Sequence, residues 1–445
     1  MRISPKQFLQ GLLYAAPIML LALASCGGGG GGGTAAPTTP VVAPSTAPTG
    51  LAATTGCSAI NLKWSSVAGA TGYYVYHAAS GLTATKTLAN TNSYTDAGLL
   101  ATTTYNYQVA AANSAGEGPK SNPAVSKATG AACTSVGGSV QSTTPLALSI
   151  TSTVSTIAGA ELFPGYVNST NGLNARFDLP ANVATDGTNL YLADSANNAI
   201  RKIVISTGAV STFAGSLTGA SGVANLGTVS ATIATFNGPQ GITTLGTNLY
   251  VADTKNNAIR QIAIPGGAVS TIATTTAFNS PAAITTDGTY LYVADTLNDQ
   301  IVQLNLDGTT TGNANVAVIS PQGITYNSGN SDLYVTGASG ISQIVDMGAV
   351  GMGAPSNLNV GGLYAPQGIT TDGTYLYVTN SSIGTIIRVT LPAPTATDTI
   401  AGTGTLGYKD GTAGAAQFRS PYGITTDGIN LYIVDTGNSS IRKIQ

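Results

Sequence analysis

A six-fold repeat is the feature that most constrains the fold of this chain. Each copy begins with proline, continues with a string close to Gly-Ile-Thr-Thr-Asp-Gly, and ends with one close to Leu-Tyr-Val-Ala-Asp. A period of about 40 to 60 residues, built from short apolar runs and Gly/Asp turns, is typical of a radial β-repeat. The repeat therefore predicts an all-β ring. The copies begin at Pro180, Pro239, Pro281, Pro321, Pro366 and Pro421.

Each copy divides into four predicted strands. In the second copy these are residues 241–244, 249–252, 258–264 and 268–273, separated by Gly-, Asn- and Pro-rich turns. Four antiparallel strands joined by short turns make one propeller blade, so six copies predict six blades. The fourth copy is irregular, because Thr-Gly-Ala-Ser-Gly at 336–340 replaces the longer Asp-x-x-Asn turn.

The count of strands predicts how the ring closes. The last copy ends after its third strand, at residues 440–444. Residues 154–159, Val-Ser-Thr-Ile-Ala-Gly, match the fourth strand of the first copy at 210–215 almost residue for residue. We expect this N-terminal strand to complete the last blade and remove an open sheet edge.

The repeats resemble the NHL repeat family. The resemblance rests on Asn-Ala-Ile-Arg-Lys-Ile at 198–203, Asn-Ala-Ile-Arg at 257–260 and Ser-Ile-Arg-Lys-Ile at 440–444. It implies a six-bladed β-propeller over residues 151–445. Six-bladed propellers include calcium-dependent lactonases and zinc-dependent amidating lyases, and the repeats are similar to the latter. Those lyases need channel histidines, whereas the one histidine of this chain, His77, precedes the repeats.

Residues 48–130 have a different pattern, with alternating apolar runs between Gly/Asn/Ser clusters. This segment resembles a fibronectin type III domain. Trp64 occupies the position of the family's core tryptophan, Leu99 and Tyr105 match its tyrosine corner, and residues 112–118 match a turn between late strands. The resemblance implies a β-sandwich, which we expect to act as a spacer more than as a specific adhesion domain.

The N-terminus has the features of an export signal. A positive start is followed by an apolar stretch that is too short for a stable membrane span. It ends in Leu-Ala-Ser-Cys, which resembles the bacterial lipobox and implies acylation of Cys26 and partnership with a membrane. Residues 1–26 would then be the signal and 27–47 a Gly/Pro/Thr-rich tether. Gly27 favours the outer membrane, with periplasmic and surface exposure both open; an ordinary secretory peptide is the alternative.

Two further cysteines, Cys57 and Cys133, flank the sandwich segment. An even pair in an exported protein favours a disulfide, and two free thiols are the alternative. The fibronectin resemblance implies that both lie at the same pole of the sandwich, before a linker at 131–150.

Candidate binding residues gather where the first strands begin. Turns alternate between two faces of a propeller, and we expect function on the face that carries the long connections 160–176, 217–235 and 403–417. The strand starts there could form a polar ring at the channel mouth, or they could simply bond to neighbouring backbone. This ring comprises Asn182, Gln240, Gln322, Gln367 and Tyr422.

The recurrent aspartates at 194, 253, 295 and 435 raise the possibility of a calcium site. Their place at tight turns favours local bonding to backbone instead, so no metal and no cofactor is expected. No Ser/His/Asp or Cys/His set can be assembled in the repeats, and no catalytic residue is assigned. With 8% charged residues and a net charge of −2, the chain also lacks the basic footprint that nucleic-acid binding needs.

These observations predict a lipid-anchored protein of the cell envelope that binds or scaffolds. Its propeller face would be presented to an unidentified envelope protein or glycan. The alternative is a calcium-dependent hydrolase or lyase that acts on a small molecule in the channel.

Substitution Cys26→Ala tests the anchor. Without an acylated thiol the protein should move from the membrane fraction to the soluble fraction, because only the acyl chains hold it to the bilayer. Fractionation followed by immunoblotting measures this. An unchanged distribution would contradict the anchor.

Overall fold

All regular structure in the described part of the chain is β-strand or 3₁₀ helix, as predicted. No helix there is long and apolar enough to cross a bilayer. The computed structural model describes residues 42–56, 59–79, 85–89, 92–97, 103–128, 135–136, 139–140, 146, 148–149, 151–222, 228–264, 266–273, 278–346, 348–391 and 397–445. Cys26, Cys57 and Cys133, and with them the predicted lipid and disulfide, lie outside these ranges.

The first domain is a sandwich of two sheets. One sheet has the order β1-β2-β5, and the other has β4-β3-β6-β7 with β8 also paired to β6. Trp64 is buried between the sheets, where its ring meets that of Tyr73 edge-on at 5.4 Å, close to Tyr107 and Val109. The strands are β1 (Ala52–Gly56), β2 (Ala59–Lys63), β3 (Gly72–Ala79), β4 (Thr85–Ala89), β5 (Ser93–Ala97), β6 (Thr104–Asn113), β7 (Gly116–Lys120) and β8 (Val125–Ala128).

Between the sandwich and the ring, β9 (Ser135–Val136) and β10 (Ser139–Val140) pair antiparallel. The following strand, β11 (Thr153–Gly159), belongs to the last blade.

Five four-stranded blades follow in chain order. Blade 1 contains β12 (Pro180–Thr185), β13 (Asn189–Asp194), β14 (Ala199–Val204) and β15 (Val210–Gly215). Blade 2 contains β16 (Ile242–Leu245), β17 (Asn248–Asp253), β18 (Ala258–Ala263) and β19 (Val269–Ala273). Blade 3 contains β20 (Pro281–Thr286), β21 (Tyr290–Asp295), β22 (Gln300–Asn305) and β23 (Val316–Ala317). Blade 4 contains β24 (Gly323–Asn327), β25 (Asp332–Gly337), β26 (Gly340–Val345) and β27 (Ser356–Asn357). Blade 5 contains β28 (Pro366–Thr371), β29 (Tyr375–Asn380), β30 (Thr385–Thr390) and β31 (Thr397–Ala401).

The sixth blade confirms the predicted closure. Its C-terminal strands are β33 (Pro421–Thr426), β34 (Leu431–Asp435) and β35 (Ser440–Ile444), and β11 pairs antiparallel with β35. A short strand, β32 (Gly411–Thr412), covers the outer edge of β11. The two ends of the repeat region therefore share one sheet. The 3₁₀ helices of the ring are Gly172–Asn174, Thr254–Asn256, Thr296–Asn298, Gly348–Val350, Ala413–Ala415 and Thr436–Asn438.

The core of the ring lies between the blades. Six apolar clusters each join residues of two neighbouring blades. Phe177 lies between blades 6 and 1, Phe236 between blades 1 and 2, and Phe418 between blades 5 and 6. Because each blade buries both faces, its strands are apolar at nearly every position, as the Leu-Tyr-Val-Ala strings are.

The Asp-Gly turns join the first and second strands, and we call the side of the ring that carries them the Asp–Gly face. In blade 1, Oδ1 of Asp186 accepts hydrogen bonds from the backbone N–H groups of Thr188 and Asn189 at 2.8 and 2.6 Å, and Oδ2 accepts from the Tyr191 hydroxyl at 2.9 Å. Burial and this carboxylate raise the pKa of the Tyr191 phenol. The repeated Thr-Asp-Gly and Tyr residues thus build the turn. The same hydroxyl bond recurs at Asp287, Asp372 and Asp427.

The opposite side, the connection face, carries the turns between second and third strands and the connections between blades. Here a threonine or serine hydroxyl of each blade donates to a backbone carbonyl at the start of the next blade's first strand. The last of these bonds, from Thr436 Oγ1 to the Pro180 carbonyl at 2.7 Å, joins blade 6 to blade 1. The donor and acceptor pairs are Ser195 and Pro239, Thr254 and Pro281, Thr296 and Pro321, Thr336 and Gln367, Thr379 and Tyr422, and Thr436 and Pro180.

Substitution Thr436→Val tests the bond that closes this hydroxyl ring. Valine keeps the shape but loses the donor, so the free energy of unfolding should fall by about 1 kcal/mol. Urea unfolding measures the change, with Thr188→Val at an exposed turn as the control. Equal stability of the two variants would contradict a role for the hydroxyl.

Candidate functional site

The connection face contains an open cleft of about 550 Å³ between blades 4 and 5. This volume lies within the range of about 300 to 1,000 Å³ that is usual for small-molecule sites. No charged side chain lines it. The lining residues are Ser320, Gln322, Gly337, Ala338, Ser339, Gly340, Val360, Leu363, Ala365, Pro366 and Gln367.

The irregular turn of blade 4 borders the cleft. In blade 2, four residues separate the paired Asp253 and Ala258, and the turn contains a 3₁₀ helix that ends at Asn257 with a φ of 50°. In blade 4, only two residues separate the paired Gly337 and Gly340. Gly340 has a φ of 102°, which glycine adopts readily. All four residues of this shorter turn, Gly337 to Gly340, line the cleft.

Three of the five predicted binding residues come together at this cleft. Gln322 and Gln367 line it, and the Tyr422 hydroxyl of blade 6 donates to Oε1 of Gln322 at 3.2 Å. Burial raises the pKa of the Tyr422 phenol. Gln322 is held further by Nε2, which donates to the Ser320 hydroxyl at 3.2 Å.

Gln367 carries the unusual atom of the cleft. Its Oε1 is buried, and no described residue donates a hydrogen bond to it. A buried acceptor without a donor costs about 1–3 kcal/mol, so the native chain gains when a donor reaches this atom. Because this oxygen is out of contact with solvent, a ligand would reach it only if the Gln367 side chain turned toward the cleft.

The other two predicted residues do not line the cleft. Oδ1 of Asn182 accepts from the backbone N–H of the adjacent Val183 at 2.8 Å, in blade 1. Gln240 is partly exposed in blade 2, and its backbone N–H donates to the Ala252 carbonyl at 3.1 Å. Gln322, Gln367 and Tyr422 are thus brought together, while Asn182 lies beside Gly423, the residue after Tyr422, without lining the cleft.

Three of the recurrent aspartates form buried ion pairs with arginines, and we call each pair, with its hydrogen bonds, a latch. In blade 2, Oδ1 of Asp253 accepts from the Asn237 backbone N–H at 2.8 Å, and Oδ2 accepts from Asn256 and Arg260, both at 2.9 Å. The side chains of Asp253 and Arg260 are both 0% exposed. Burial raises the pKa of Asp253, and its three hydrogen-bond donors oppose that rise. The same set surrounds Asp194 with Arg201, and Asp435 with Arg442.

The long connections supply backbone carbonyls to these arginines. Arg260 donates to the Thr235 carbonyl of the connection 217–235 at 2.8 Å, and its guanidinium lies 5.0 Å from the ring of Phe236, the next residue. Connection 160–176 supplies carbonyls of Arg176 and Val167 to Arg201, and 403–417 supplies those of Gln417 and Lys409 to Arg442.

The same connections also cover the outer edges of their blades. Ser169 bridges to Val210, Val229 to Val269, and Gly411–Thr412 pairs with β11. Covering these edges blocks pairing with another chain. Blades 3, 4 and 5 follow shorter connections and have Val302, Ser342 and Ile387 at the arginine position. This co-occurrence of arginine and long connection was visible in the sequence but was not recognised as a contact.

In the part of the chain that the structure describes, no three His, Cys, Asp or Glu side chains are grouped so as to hold a metal ion.

Comparison with known proteins identifies the first domain and the general fold. The family model "Fibronectin type III domain" matches residues 46–127. A poly(3-hydroxybutyrate) depolymerase of Ralstonia pickettii is 40% identical over 89 residues, which are 20% of this chain and 17% of that protein. The chain thus spans about a sixth of the length of this curated relative.

Two solved structures from Bacteroides thetaiotaomicron align along nearly the whole chain. An auxiliary nutrient binding protein has a TM-score of 0.53 at 14% identity, covering 92% of this chain and 98% of its own. A protein of unknown function has a TM-score of 0.50 at 17% identity, covering 93% and 99%. At these identities the likeness concerns the fold. The chain is therefore an all-β protein with a fibronectin type III domain and a six-bladed propeller.

Substitution Arg260→Met tests the latch. It leaves the Asp253 carboxylate buried without its cation, which should lower the free energy of unfolding by about 3–5 kcal/mol. Urea unfolding measures this, with Arg419→Met on the exposed surface as the control. A loss below about 1 kcal/mol, typical of surface pairs, would contradict the latch.

Proposed function

We propose that this protein is a lipid-anchored binding protein of the cell envelope whose blade-4 cleft binds a neutral glycan. The observation that carries the proposal is a cleft whose described lining residues are uncharged and include the amides of Gln322 and Gln367. The glycan is an envelope component within reach of the tether. A protein ligand is the other outcome of the test below.

The polar groups of the cleft suit sugar hydroxyls. A side-chain amide offers both donors and an acceptor, and a hydroxyl does the same, so the two can pair in either direction. With its side chain turned into the cleft, Gln367 would accept from a ligand hydroxyl, while Ser320 and Ser339 offer further hydroxyl partners. The Gln322 amide is already oriented by Tyr422 and Ser320, which lowers the entropy lost on binding.

The apolar part of the cleft suits the C–H faces of a sugar ring. Val360, Leu363 and Pro366 contribute to the lining beside the two amides. An anionic or cationic ligand would find no opposite charge among the lining residues, and burying an unpaired charge is costly. These properties favour a neutral polar ligand with apolar surfaces.

The remaining parts of the chain would present the cleft to its ligand. The acylated Cys26 would fix the protein to the outer membrane, and residues 27–47 would form the tether. The fibronectin type III domain would act as a spacer between tether and propeller. Exposure to the periplasm and exposure to the cell surface are both compatible with this arrangement.

Substitution Gln367→Ala tests the cleft as a glycan site. Loss of one amide should weaken binding of a neutral oligosaccharide roughly 2- to 10-fold, because a net hydrogen bond contributes about 0.5–1.5 kcal/mol. Ligands would be selected on an array of neutral and charged glycans together with envelope peptides, and affinities measured by calorimetry.

The matched control is Gln240→Ala, which removes the equivalent amide of blade 2, outside the cleft. This variant should bind like the parent protein. Equal loss in both variants, or selection of peptides or charged glycans only, would contradict the proposal.

A further inference from the structure

The segment between the two domains is folded against the ring rather than free of it. Its paired strands β9 and β10 come within 8 Å, between Cα atoms, of the first strands of three blades. Strand β9 approaches β16 of blade 2, and β10 approaches β12 of blade 1 and β33 of blade 6. First strands are the innermost strands of a propeller and surround its central channel. The hairpin therefore lies at the channel.

Two leucines fix the next part of this segment to blades 5 and 6. Leu146 is 4% exposed and belongs to the core cluster that contains Ile386 and Phe418. Its backbone N–H donates to Oδ2 of Asp372 at 2.9 Å. The Leu148 carbonyl accepts from Nη1 of Arg388 at 3.0 Å. Apolar burial and two polar contacts thus hold the segment at one place.

These contacts show on which face the segment lies. Asp372 belongs to the Asp-Gly turn of blade 5, where its Oδ2 also accepts from the Tyr377 hydroxyl at 2.8 Å. Strand β11 then starts at Thr153, whose backbone pairs with the chain end at Gln445, on the same face. Leu146 and the start of β11 therefore lie on the Asp–Gly face.

We infer that the hairpin strands β9 and β10 plug the central channel beside blades 6, 1 and 2, with Leu146 and Leu148 as anchors of the chain that follows. The channel edges of first strands carry backbone N–H and C=O groups that no further strand pairs, and such a plug would shield those of blades 6, 1 and 2 from solvent. This inference stands on the contacts of the segment and does not depend on the proposed function.

Hydrogen exchange on the full chain tests the plug. Replacing the four residues of β9 and β10 with glycine weakens the hairpin, because glycine disfavours strands. Deuterium uptake should rise several-fold in β12, β16 and β33, which the hairpin approaches. It should remain unchanged in the equivalent strands β20, β24 and β28, which serve as the internal control.

A second variant tests the anchors without altering the hairpin. Leu146→Ser should raise uptake in the same three strands, whereas Leu217→Ser, at a leucine that is 64% exposed on the connection face, should not. Uptake that stays at the parent level in both the glycine and the Leu146→Ser variants would overturn the plug. A uniform rise across all six first strands would also overturn it, because that result indicates general loosening of the ring.

Discussion

Six side-chain hydroxyls hold the first strands of the blades in a closed circle. Each donates across a blade boundary, and the last, from Thr436 to Pro180, spans 256 residues of sequence. The bonds lie beside the polar residues at the channel mouth, and two of the six carbonyl acceptors belong to Gln367 and Tyr422 themselves. The same bonds that close the ring therefore place the side chains of the candidate site.

Around this circle the ring has two different halves. Blades 6, 1 and 2 are locked by a buried Asp–Arg pair, a long connection and a covered outer edge. Blades 3, 4 and 5 have no arginine at that position, and blade 4 also lacks the aspartate turn. Blade 3 shows how an aspartate is held without arginine, since Asp295 accepts from Asn298 and Gln300. The cleft lies in the half of the ring whose blades lack the Asp–Arg pair.

The repeat predicted the fold because its information is local and periodic. Strand order, six blades and the closing strand at 154–159 all follow from matching one copy to another, and the structure confirms them. The gathering of Gln322, Gln367 and Tyr422 could also be predicted, because equivalent strand starts converge on one channel mouth. Asn182 and Gln240 share that periodic position, so the pattern could not separate them from the cleft residues.

The remaining features depend on contacts that periodicity does not report. The structural support that a long connection gives its blade depends on carbonyls that reach Arg201, Arg260 or Arg442, more than 20 residues away. The interdomain segment has no repeat at all, so it was predicted as a linker. Its place was fixed by Leu146 reaching Asp372, which lies 226 residues further along the chain.

One measurement tests most directly whether the missing turn of blade 4 makes the binding site. The turn of blade 3, residues 295–300, is grafted in place of residues 337–340, since blade 3 builds this turn without an arginine. The longer turn should fill the cleft, so a graft that unfolds at the parent's urea midpoint should bind the neutral glycan at least about 10-fold more weakly. A folded graft that binds the glycan with unchanged affinity would contradict the blade-4 cleft as the site.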